Sequence, residues 1–153
     1  MVRPICRPTK LVVVISIIVL GITILLGFAC FFYINGPVAV RNAYAGLTLS
    51  EMTIIFMEEN NGAWPQNWND LESYYETACR RQSDYCAFEE IRSNLEMDFT
   101  FSPEEFGTAL REGTEIPELQ VIRPKVGRFG WGGWWPNKRI QRYLELRVEK
   151  GSE

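Results

Sequence analysis

Between Leu11 and Val40 the chain carries 30 consecutive residues without one Asp, Glu, Lys or Arg. Inside that run residues 11–34 read LVVVISIIVLGITILLGFACFFYI, interrupted before Tyr33 only by Ser16, Thr23 and Cys30, which can satisfy their own polar groups on a helix. A helix rises about 1.5 Å per residue and about 20 apolar residues cross a hydrocarbon core, so the run predicts a transmembrane helix. A buried core helix would need protein on every side, more than the rest of a 153-residue chain comfortably supplies. Fully disordered, collagen-like and purely soluble classes are excluded on the same ground.

Charge gives the expected span a direction. Arg3, Arg7 and Lys10 precede it and only Arg41 follows closely, so the positive-inside bias predicts a cytoplasmic N-terminus and an extracytoplasmic C-terminal domain held at the inner cell membrane. Phe31, Phe32 and Tyr33 suit the outer interface. The apolar stretch exceeds a normal signal-peptide core and no small-x-small site follows it, which favours a retained signal-anchor over cleavage. Beyond the span the charge is uneven: residues 42–120 carry four basic and sixteen acidic groups, whereas residues 121–153 carry eight basic and three acidic. The chain has no histidine, which removes Ser-His and Cys-His catalysis and histidine-zinc sites together.

The remaining pattern predicts an α+β domain. Asn35-Gly36-Pro37 should end or kink the span. Val40, Ala43, Leu47, Ile54 and Met57 then fall at helical spacing, flanked by Ala45, Leu49, Met52 and Phe56, and form a wide apolar face that requires a cover. Gly62 is placed to close that helix. Asn69 with Glu72 reads as a capping box, and Ser102-Pro103-Glu104-Glu105 as a second helix start that Gly113 ends after Arg111. Leu95, Met97, Phe99 and Phe101 alternate with polar residues as one strand; residues 119–123 and 143–148 are two more candidates. The expected division is a basic cytoplasmic tail over 1–10, a span over 11–34, a kink and amphipathic helix over 35–62, and an α+β domain with a small antiparallel sheet over 63–153.

Three groups of residues invite a functional reading. Cys79 and Cys86 bracket six residues and, in an oxidising compartment, either close a disulfide worth on the order of 2–3 kcal/mol or remain two buried thiols. Arg123, Lys125, Arg128, Lys138 and Arg139 interleave with Trp131, Trp134 and Trp135 around a Gly-rich stretch. Indole and guanidinium groups stack on sugars and neutralise anions, so this loop is a candidate contact for an anionic or glycan ligand; the alternative is a loop whose tryptophans cap the sheet. Nucleic acid is disfavoured by the expected location. Adjacent acids at 58/59, 89/90 and 104/105 diverge by about 100° on a helix and explain themselves as helix-end charges, and no catalytic, cofactor or metal residue is singled out.

The order of features, with Glu59-Asn60-Asn61-Gly62-Ala63-Trp64-Pro65 followed by Asp70-Leu71, resembles the pilins and type II secretion pseudopilins, in which such a turn ends the first helix. The likeness covers residues 11–75; the family's processing glycine and early glutamate have no counterpart, since Lys10 runs straight into Leu11 and no acid precedes Glu51. What the resemblance implies is a single-pass, membrane-anchored, pilin-like subunit of the cell envelope. Such a subunit works by assembly with itself or other envelope proteins, beside the lipid bilayer, and not by catalysis. Val40, Ala43, Leu47, Ile54 and Met57 are its expected assembly face. A tethered binding module acting through residues 123–142 is the alternative.

Overall fold

The computed structural model describes residues 10–81, 87–114, 118–129 and 136–150, the side chains of 10–14, 28 and 30–35 excepted. Among them are six helices and one two-stranded sheet: α1 (Lys10–Glu59), α2 (Trp68–Glu72), α3 (Tyr75–Arg81), α4 (Phe88–Asn94), β1 (Leu95–Met97), α5 (Pro103–Arg111), β2 (Ile122–Pro124) and α6 (Pro136–Lys150). The fold is mostly helical, which corrects the α+β, pilin-like sheet domain expected above. Two compact units divide the chain, Met1–Gly36 and Pro37–Glu153. The expected helix break at Asn35-Gly36-Pro37 does not end the element, because α1 continues with Pro37 inside it. A proline removes one amide donor, and a helix of 50 residues retains the rest of its ladder.

In the second unit α1 is the core itself, with neighbours on several sides. Met52, Thr53, Ile54 and Ile55 are four consecutive buried residues, and at 100° per residue they point in four directions. Asn42 donates to the carbonyls of Val126 (2.9 Å) and Arg128 (3.4 Å). Phe56 meets Tyr74 edge to face with centroids 5.7 Å apart. Gly46 lies so close to Phe129 and Pro136 that an added Cβ would stand 2.8 Å and 2.9 Å from their ring carbons. The helix ends where its residues dictate. Asn61 (φ 54°) and Gly62 (φ 85°) turn left-handed, and the Gly62 amide reaches back to the Met57 carbonyl at 2.7 Å.

The short elements are set by their caps and edges. The capping box of α2 sits two residues earlier than expected, because Asn67 accepts from the Asn69 amide (2.9 Å) while Asp70 accepts from the amides of Gln66 (2.7 Å) and Asn67 (3.2 Å). Ser102 caps α5 by accepting from the Glu105 amide at 3.2 Å, with Pro103 in the first turn. β1 and β2 pair antiparallel with Glu96 opposite Arg123. Asn137 closes the outer edge of β2: its amide accepts from the Ile122 N–H and donates to the Ile122 carbonyl, both at 2.8 Å.

Two strand expectations fail, in whole or in part. Alternation continues through Phe99 and Phe101, but β1 stops at Met97 and both rings turn into an aromatic cluster, Phe99 against Trp68 (5.7 Å) and Phe101 against Trp64 (4.8 Å). Residues 143–148 lie in α6, where Pro136, Ile140 and Leu144 recur every four residues and are buried while Leu146 stays exposed. A short apolar run fits both periods, and packing against the neighbouring helix α5 selects the helical one.

Candidate functional site

In the first unit, the described side chains of Ile15, Ile17, Ile18, Val19, Leu20, Ile22, Ile24, Leu25 and Leu26 are each 51–70% exposed. Ile17, Ile18, Val19 and Leu20 are consecutive, so the apolar surface runs around the helix instead of forming one stripe. Among the described residues no helix is long and apolar enough to cross a membrane. That finding overturns the transmembrane span, the signal-anchor and the single-pass inner-membrane location expected from residues 11–34.

The expected assembly face belongs in large part to the core. Ile54 and Met57 are buried, and Val40, Ala43 and Leu47 are half-buried. An apolar stripe on a helix reads the same whether its cover is another chain or this one.

Three basic residues of the loop, Arg123, Lys125 and Arg139, make contacts within the fold. Arg123 donates to the Gln120 carbonyl at 3.2 Å. Lys125 Nζ donates to the Arg92 carbonyl at 3.0 Å, a cation on the last turn of α4. Arg139, half-buried on α6, pairs with Glu51. Arg128 and Lys138 are exposed, and Trp131, Trp134 and Trp135 lie outside the described residues.

Sequence reasoning missed the principal charged cluster of the fold. Glu51 stands on α1 with its side chain 5% exposed, and both of its carboxylate oxygens are held, one by Arg81 of α3 at 3.0 Å and the other by Arg139 of α6. A buried carboxylate is strongly disfavoured unless paired, so this triad fixes where α3 and α6 meet α1. Its signal in the sequence was one acid inside an apolar helix pattern. Arg41 and Glu90 form a second pair, between α1 and α4.

Cys79 is half-buried on α3 and Cys86 lies outside the described residues. Ser102 Oγ caps α5 and Lys125 donates at the end of α4. Among the described residues no three His, Cys, Asp or Glu side chains converge as metal ligands. Asp98 has its carboxyl held below the ordinary range, chiefly by hydrogen bonds from the Thr100 hydroxyl (2.6 Å) and amide (2.9 Å). These are the bonds of a turn, and they need no substrate.

No family model, curated protein or solved structure matches the chain.

Proposed function

We propose that the protein is a structural subunit that works by assembling with copies of itself through the apolar N-terminal part of α1. The observation that supports this is the set of nine large apolar side chains between Ile15 and Leu26, each more than half exposed. Isolated surface hydrophobes are ordinary, but a contiguous apolar surface of this kind marks an interaction site. Because the surface runs around the helix, one partner packed on one side would leave the rest in water. Several helices are needed, which is the situation of a bundle or an array. The assembly role is also what the pilin resemblance implies, although the surface invoked here is residues 15–26 and not the face centred on Ile54 and Met57.

A photo-crosslinking amino acid at Ile18, with a second at the exposed Val126 as reference, tests the reading in cells. Self-adducts that form a ladder from Ile18 and are absent from Val126 are expected. Adducts to lipid alone, or no adducts from Ile18, would overturn it.

A further inference from the structure

A groove of about 600 Å³ opens in the second unit between the turn that ends α1, the helix α5 and the helix α6. Ala63, Gly107, Leu144 and Val148 give it apolar walls, and Arg111, Arg147 and Glu104 supply its charge. Arg147 is built into it. Its guanidinium donates to the Asn61 carbonyl and lies where a side chain on Gly62 would begin, so the left-handed glycine is the residue that makes room for it. Arg111, at the end of α5, donates to Thr108 Oγ1 at 3.3 Å on its own helix.

We propose that this groove binds a short acidic peptide, with one carboxylate received by Arg111 and Arg147 and the aliphatic part of the segment lying on Ala63, Leu144 and Val148. A guanidinium offers five N–H donors in a planar fork, and the bonds of Arg111 to Thr108 and of Arg147 to Asn61 each take up only one of them. Two arginines against Glu104 leave a single surplus positive charge, which matches one carboxylate better than a doubly charged phosphate. The volume falls within the range of sites for small ligands. This proposal is independent of the assembly of the first unit, since every residue it uses lies in the second.

The test titrates the full chain with the peptide Gly-Glu-Gly, with its isostere Gly-Gln-Gly and with inorganic phosphate, following backbone amide shifts by NMR. Saturable binding of Gly-Glu-Gly that shifts the amides of Asn61, Gly62 and Arg111 is expected, weakened by about tenfold or more for Gly-Gln-Gly. Arg111→Gln and Arg147→Gln should each abolish saturation, Arg147→Lys should restore part of it, and Glu104→Gln should tighten it. Thermal melts of each variant establish that the fold persists. Absence of saturable Gly-Glu-Gly binding to the wild-type chain, equal binding of the two peptides, tighter binding of phosphate, or retention of affinity in folded Arg111→Gln and Arg147→Gln variants would each overturn the proposal.

Discussion

At the scale of single residues, three positions carry consequences that composition does not reveal. Gly46 is buried in the middle of a helix, where glycine is ordinarily unfavourable, and its presence follows from the approach of Phe129 and Pro136. Gly46→Ala gains helix propensity but forces those rings apart, and a net loss of about 1–3 kcal/mol is expected from overpacking, measured by urea denaturation. Glu51→Gln keeps the shape and removes the charge that Arg81 and Arg139 share. Because both arginines reach solvent, the expected loss is smaller than for a fully buried pair, about 2 kcal/mol. Asp98 sets a pH dependence. Its folded-state pKa lies below the ordinary carboxylate value, so its contribution is present above that value and disappears as the pH falls through the lowered one. Thr100→Val removes the main cause of the shift, and the fall in stability below about pH 4 should become shallower.

At the scale of elements, local chemistry decides boundaries well and element type less well. The start of α5 was legible because Ser102, Pro103, Glu104 and Glu105 each satisfy a helix N-terminus by themselves, with no help from the rest of the fold. Ser102→Ala should therefore cost about 1 kcal/mol, read as a lowered melting temperature. The start of α2 was misplaced by two residues because Asn67 and Asn69 are chemically alike as caps, and what separates them is Asp70 reaching back to Gln66 and Asn67. The segment at 143–148 was misread because its alternating apolar residues overlap with a four-residue repeat from Pro136 to Leu144. Asn137 belongs to this scale as well. It supplies the pairing that a third strand would give to Ile122, and Asn137→Leu should lose about 1–3 kcal/mol by leaving two backbone groups without partners, with hydrogen exchange at Ile122 accelerated.

At the scale of the whole molecule, assembly through the N-terminal apolar surface predicts that size depends on concentration. Ile18→Asp together with Leu25→Asp should shift sedimentation toward single chains while leaving the second unit's melting unchanged, since neither residue contributes to its core. The sequence by itself determined that residues 11–40 carry no charge and suit a helix, that Asn61 and Gly62 turn the chain, and that Ser102 begins α5, whereas the break it placed at Asn35-Gly36-Pro37 is one that α1 runs through; what it determined follows from forces acting within a few residues. Tertiary structure alone decided that Ile54 and Met57 are interior, that Arg139 serves Glu51 in place of a ligand, and that Arg147 lies over Gly62. Those facts depend on which surfaces meet across 80 or more residues of chain, and an apolar stripe or a free cation carries no mark of the partner that will cover it.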